Sequence, residues 1–268
     1  MTTLISWKGV DTHGISSIYI ASDSRVTFSA NVHSDNCRKI LVSTKHPLIF
    51  GYCGDVVYPL FHIGAILSLI DSFGISCIGN NFDDHCFSIC SMLNSSSEEY
   101  FKSIKTESTI IFVEREFIGM DSIFRMCKFK FINGKYINEK IDIESSSPLI
   151  FAGGSGGIMY TDLYYDKFRA NSVSREVFWA LCSFIKSGVD KNTGGSPQLA
   201  GLFKKGSAVP HCVVWNDSLY FCGTDINSIQ HHSFFEGIKC VNENFELCNP
   251  ITKNLKEGAQ RQPIIKKK

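Results

Sequence analysis

The chain carries almost no net charge: 27 basic residues against 26 acidic ones leave +1 at neutral pH. That balance gives no general attraction to nucleic acid or to an anionic membrane. The basic end, IIKKK, is short and reads as a solvated tail. No run of about 18 apolar residues suggests a membrane span. No apolar segment follows a basic one at the start, so no signal peptide is expected. C-x-x-C pairs are absent, and the eleven cysteines are odd in number. Cys86 and Cys90, four apart, would share a helix face. Buried free thiols in a reducing cytosol explain this better than a disulfide framework or a metal. His231 and His232 with Cys240 and Cys248 lack the spacing of a common zinc site and read as packing or solvated residues. No extended G-x-G-x-x-G context supports a dinucleotide, so no cofactor or metal is expected. The expected setting is the cytoplasm.

What is present is a full core. Of 268 residues, 44% are hydrophobic and 20% charged, enough for one large domain. Strands are expected at 2–8, 16–28, 37–44 and 47–53. Over 55–74, Val57, Leu60, Phe61, Gly64, Leu67 and Ile70 recur at helical spacing. A second helical stretch is expected over 83–105. Strands return at 108–116, 123–132 and 135–143, with Asn133-Gly134 as a hairpin signal. A strand at 148–157 runs into glycines. Helices are expected at 157–170 and 174–188, the latter capped by Ser174, and three more strands follow. The domain is expected over 1–225, with 226–268 an extension of uncertain structure. The order of strands, two helices, strands, two helices, strands predicts an α+β fold. Its layers would form a four-layer αββα sandwich: two packed antiparallel sheets, each flanked by a helix pair.

Several short stretches carry candidate chemistry. MTTLISW places Thr2 behind an initiator Met that is normally trimmed before a small residue. SDSRVT holds Asp23 and Arg25 in the turn after a strand, and CRKI holds Lys39 at the start of the next. GYCGD ends a strand with Gly51, GGSGG sets Ser155 in a glycine turn, and DKNTGG offers Asp190 and Thr193. Taken singly, each has a plainer reading. Asp23 and Arg25 can be a turn pair and Lys39 a solvated side chain. GGSGG can be a tight turn or an anion loop, although it lacks a P-loop ending.

As an ordered set these motifs resemble the proteasome-type N-terminal nucleophile hydrolases, proteasome β subunits and the bacterial HslV-type peptidase. The likeness runs over roughly 2–225. It implies Thr2 as nucleophile and Asp23 and Lys39 as a charged pair. It implies Gly51 as an oxyanion N–H donor, with Ser155, Asp190 and Thr193 orienting the Thr2 amine. Thr193 stands where the family carries serine. The chain is longer than the bacterial peptidase at 94–107, at 118–146 and after 225. The resemblance implies a peptide or protein substrate, a homo-oligomeric ring enclosing the sites and an ATPase unfoldase as partner. An amidase acting on a small amide and a catalytically silent assembly subunit are the alternatives.

Overall fold

The computed structural model describes residues 2–29, 32–103, 107–118, 121–169, 173–229, 235 and 237–259. His231, His232, Met1 and the IIKKK end lie outside them. The chain opens with strands β1 (Leu4–Asp11) and β2 (Gly14–Ser22), then a ribbon of β3 (Val26–Ser29) and β4 (Val32–Ser34). β5 (Ile40–Val42) and β6 (Leu48–Gly54) lead into helices α1 (Val57–Phe73), α2 (Phe82–Asn94) and α3 (Ser97–Ser103). Three strands follow, β7 (Ser108–Ile118), β8 (Asp121–Ile132) and β9 (Lys135–Lys140), then β10 (Leu149–Gly153). Helices α4 (Gly157–Leu163) and α5 (Ser174–Ser187) precede β11 (Gln198–Phe203), β12 (Val209–Trp215) and β13 (Ser218–Phe221). Two short strands close the chain, β14 (Thr224–Asp225) and β15 (Cys240–Val241).

One sheet has the order β10-β1-β2-β11-β12-β13-β14, with β15 added in parallel to β12. A second runs β5-β6-β7-β8-β9. Alternation along the strands sorts the core. Leu4, Ile18, Ile20, Ala200 and Leu202 meet Ile40, Ile49, Ile111 and Val113 between the two sheets. Ile5, Trp7, Ala21, Leu199 and Val213 face the other way, against Tyr160, Val177, Phe178 and Leu181 of α4 and α5. Phe50, Tyr52, Phe112 and Phe129 pack on Ile63, Ile66, Leu67, Ile89 and Leu93 of α1 and α2. Each strand pairing is thereby fixed in register, because a one-residue slip would exchange the two faces.

Strand outweighs helix, 38% against 28%, in several antiparallel sheets with few helices. The expected four-layer αββα sandwich with a helix pair on each sheet is therefore corrected. Apolar spacing of helical period runs on past the ends of the helices. The stretch 83–105 breaks at Ser95 and Ser96, where Ser95 Oγ donates to Met92 O at 2.8 Å and competes with the backbone ladder. The stretch 157–170 is α-helical only to Leu163, continuing as a π-type turn over Tyr164–Phe168. Strand content was undercounted. β3 and β4 form their own ribbon, and β14 and β15 draw on short segments with weak alternation. Ser174 begins α5, where the Val173 N–H donates to Glu176 Oε2.

Beyond Asp225, Phe235, Ile238, Cys240, Cys248 and Leu255 pack with Cys212 and Leu219. Phe245 reaches further in and packs edge-on to Trp7 and Tyr19. No described helix is long and apolar enough to cross a membrane.

A buried pair joins α2 to the second sheet. His85 Nδ1 lies 2.9 Å from Glu114 Oε2 and Nε2 lies 3.1 Å from Gly79 O. A carboxylate and a carbonyl only accept, so both ring nitrogens donate and the ring is an imidazolium. Burial pushes its pKa down, but the Glu114 hydrogen bond and charge, with the Gly79 carbonyl, raise it overall. A raised folded pKa stabilises fully below the unfolded value of about 6.5. That contribution is lost as pH rises through the folded value. Urea unfolding from pH 6 upward is expected to show this loss, and His85→Gln to flatten it. An unchanged slope in the variant would assign the titration elsewhere.

Candidate active site

Strand β1 begins beside the end of β2, and their antiparallel register pairs Leu4 with Ser22. Extending the alternation back from Leu4 and Ile5 puts Thr2 on the face toward the second sheet and Thr3 on the helix face. Two polar groups meet at this edge.

Asp23, fully buried, is the centre of the first. Its Oδ1 accepts the Thr3 N–H at 3.0 Å and Lys39 Nζ at 2.9 Å. Its Oδ2 accepts the N–H groups of Arg25 and Gly194, both at 3.0 Å. The carboxylate is thus saturated by four donors. Lys39 stands immediately before β5 and is also fully buried. Its ammonium donates to Asp23 and to Arg25 O. Arg25 enters this centre through its backbone only. Its guanidinium makes a bidentate pair with Asp35, Nε to Oδ1 at 2.7 Å and Nη2 to Oδ2 at 2.9 Å. That hydrogen bonding raises the Arg25 pKa and lowers that of Asp35.

Asp190 anchors the second group. Its Oδ2 accepts from Ser155 Oγ at 3.1 Å and from Thr193 Oγ1 at 2.7 Å. Thr193 Oγ1 also lies 2.7 Å from Thr3 Oγ1. The Thr193 proton is committed to Asp190, so Thr3 is the donor in that contact. The relay therefore runs Thr3, Thr193, Asp190. It holds the side chain of Thr3, the residue after the expected nucleophile.

Thr2 itself is fully buried, and its Oγ1 has no hydrogen-bond partner. An orphaned buried hydroxyl is uncommon and calls for a reason. The backbone around it is fixed by the glycine turn. Gly154 has φ +86°, and a Cβ there would lie 1.8 Å from Thr2 O. Only glycine permits that approach.

Gly51 is not part of this arrangement. It lies within β6, paired with Ile40 and Ile111, and a Cβ there would meet Ile20 and Leu4. The neighbouring Tyr52 N–H bonds to Lys39 O. Because N–H directions alternate along a strand, the Gly51 N–H faces β7 inside the sheet. The expected oxyanion donor is corrected on that ground: the Gly51 N–H is used inside the sheet, and the G-x-x-G spacing marks a strand end with two glycines. The one with positive φ is Gly54, at +91°.

The structure brings the candidates Thr2, Asp23, Lys39, Ser155, Asp190 and Thr193 to one edge of the fold. Sequence reasoning missed Thr3, Cys53, Gly154 and Gln198. Thr3 was within reach, since alternation assigns the second threonine to the opposite face. Cys53, almost fully buried, lies against Gly153 and Gly154, and burial pushes its thiol up to about 12 despite the Lys39 charge. Gln198 had no sequence signal.

A cavity of about 490 Å³ borders Thr193 and Gly194 and is walled by Arg25, Asp35, Trp215 and Tyr220. Another, of about 800 Å³, lies away from the site beside Phe82, Glu116, Phe124 and Lys140. Among the described residues no group of three or more His, Cys, Asp and Glu side chains could hold a metal ion.

No protein-family model matches the chain. No curated protein matches it either. Among solved structures it is similar to the Anbu (Gly-1) mutant from Hyphomicrobium sp. strain MC1. The TM-score is 0.50 at 11% identity, over 78% of this chain and 86% of that one. A likeness at that identity shows the fold alone. The assignment to proteasome β subunits and the HslV-type peptidase is thereby corrected, because no family or curated match supports it. The assignment rested on short motifs at turns, which constrain a few backbone positions and leave the sequence between them free.

Proposed function

We propose that this chain hydrolyses amide bonds with the Thr2 hydroxyl as nucleophile, once Met1 has been removed. One observation carries the reading: a buried Asp23–Lys39 ion pair is bonded to the Thr3 N–H at the start of β1, next to a buried Thr2 hydroxyl that has no hydrogen-bond partner. A buried ion pair is poor value as a stabiliser, since desolvation offsets its attraction. Its presence here favours a chemical role.

The steps follow from the groups present. A free Thr2 amine, with a reference pKa of about 8, can take the proton of its own hydroxyl. The Lys39 ammonium disfavours protonation of that amine and keeps it a base. The Thr2 oxygen then attacks the amide carbonyl, the amine returns the proton to the leaving nitrogen, and a Thr2 ester remains. Water activated by the same amine hydrolyses the ester and restores the hydroxyl. Asp23 holds Lys39, and its bond to the Thr3 N–H fixes the strand that carries Thr2. Thr193, Asp190 and Ser155 hold that strand from the other face. While Met1 is attached the Thr2 nitrogen is an amide and no base is available.

The substrate class is peptide or protein amides, with small amides as the second choice. All eleven cysteines are free, which supports a reducing, cytoplasmic setting. Exposed Val57 and Phe61 on α1 and Phe87 on α2 support self-association of this chain.

Thr2→Ala is expected to abolish release of a fluorogenic peptide amide and to leave the unfolding free energy within about 1 kcal/mol of the parent. Full turnover by that variant would end the proposal.

A further inference from the structure

Gln198 opens β11 and pairs with Ser22 of β2. It shares its strand face with Ala200 and Leu202, which line the apolar space between the sheets. A polar side chain on that face needs partners, and Gln198 is almost completely buried. It has four. Oε1 accepts the Lys39 backbone N–H at 3.0 Å. Nε2 donates to Cys37 O at 2.7 Å, and to Asp23 O and Ser24 Oγ, both at 3.1 Å. Two N–H bonds serve three acceptors, so one is shared.

These partners lie on two different parts of the fold. Asp23 and Ser24 leave β2 of the first sheet. Cys37 and Lys39 enter β5 of the second. One amide therefore ties together the backbone at both members of the ion pair. Gly223 closes the other side. It has φ +86°, and a Cβ there would lie 3.2 Å from Gln198 Nε2, 2.8 Å from Ser24 Oγ and 3.1 Å from Cys37 O. The chain gives up a side chain at Gly223 to leave room for this contact.

We propose that Gln198 is a positioning residue for the Asp23–Lys39 pair, setting the distance and orientation of Lys39 across the gap between the sheets. This deepens the proposed hydrolase reading and rests on it. The role needs an acceptor and donors on one planar group, which an amide supplies. A leucine of similar size supplies neither. An ionised glutamate keeps the acceptor, loses the donors and adds negative charge. That charge would favour the ammonium form of the Thr2 amine and raise its pKa.

The test combines two readouts on the full chain: the rate of Thr2 labelling by a peptidyl epoxyketone against pH, and hydrogen exchange of the Lys39 backbone N–H. Gln198→Leu is expected to label about 100-fold more slowly while remaining folded, the size expected when reacting groups are misplaced by about 1 Å. Gln198→Glu is expected to label more slowly and to move the acidic limb of the pH profile to higher pH. The Lys39 N–H is expected to exchange faster in Gln198→Leu than in the parent. Parental labelling by a folded Gln198→Leu, or a parental pH profile in Gln198→Glu, would overturn the proposal. If Gln198→Leu does not fold, the pH profile of Gln198→Glu decides. If the parent itself takes no label, the nucleophile reading falls. Lys39 exchange in Gln198→Leu then still decides Gln198: unchanged protection overturns its positioning role, and lost protection supports it.

Discussion

Asp23→Asn is expected to destabilise the fold by about 3–5 kcal/mol and to abolish activity, because it leaves the Lys39 ammonium buried without its counter-charge. Lys39→Met is expected to cost less. After that change the Asp23 carboxylate keeps three N–H donors, from Thr3, Arg25 and Gly194. After the reverse change Lys39 keeps Arg25 O and a neutral amide oxygen as acceptors but no counter-charge, and the new amide NH2 faces the N–H donors of Arg25 and Gly194. The double variant Asp23→Asn, Lys39→Met is expected to recover part of the lost stability, since no lone charge then remains buried. It recovers no activity, because the ammonium that keeps the Thr2 amine neutral is gone. Urea unfolding with a fluorogenic peptide amide assay separates the two effects. Strictly additive destabilisation would show that the pair is not coupled. Normal turnover by Lys39→Met would remove it from the chemistry.

Gly154→Ala is the second change with a large expected effect. The new methyl group would lie 1.8 Å from Thr2 O, inside any allowed contact, and the residue would be held at φ +86°. Backbone strain of that kind costs about 1–3 kcal/mol. The steric part cannot be relieved by a rotamer, because the atom it meets is main chain. Thr2 must move, and peptidyl epoxyketone labelling is expected to fall about 100-fold or more. Gly206→Ala is the control. Its φ is +80°, but nothing lies within 4 Å of the added carbon. It is expected to show the conformational cost alone, with labelling unchanged. Equal labelling in Gly154→Ala and the parent would mean that the glycine turn does not set the position of Thr2.

The sequence made some parts of this molecule legible and hid others for identifiable reasons. β1 and β2 are legible as largely apolar runs bounded by polar turns, because both of their faces are buried. Asn133 and Gly134 form the hairpin between β8 and β9 with φ of 52° and 89°, as that dipeptide predicts. The ends of the helices were hidden. Ser95 and Ser96 interrupt a stretch whose apolar spacing continues, and a π-type turn after Leu163 preserves helical periodicity while leaving the α-helix. The balance of strand and helix failed with them, and so did the layered description built on it. Within the site, Asp23 and Lys39 have plainer readings taken singly, and only the ordered set of motifs brings them forward. Gly51 misled because spacing does not reveal which way a strand N–H points. Gln198 was invisible, since a lone glutamine at a strand start looks solvent-facing until the sheet opposite is known. The family assignment fell to the same limit: turn motifs specify local geometry and say little about the rest of a chain.

The most direct measurement is the mass of the N-terminal peptide of the purified protein, before and after treatment with a peptidyl epoxyketone. The account predicts loss of Met1, then a single adduct on Thr2 that Thr2→Ala does not form. A free Thr2 that stays unlabelled, with the Asp23–Lys39 pair intact, would contradict it.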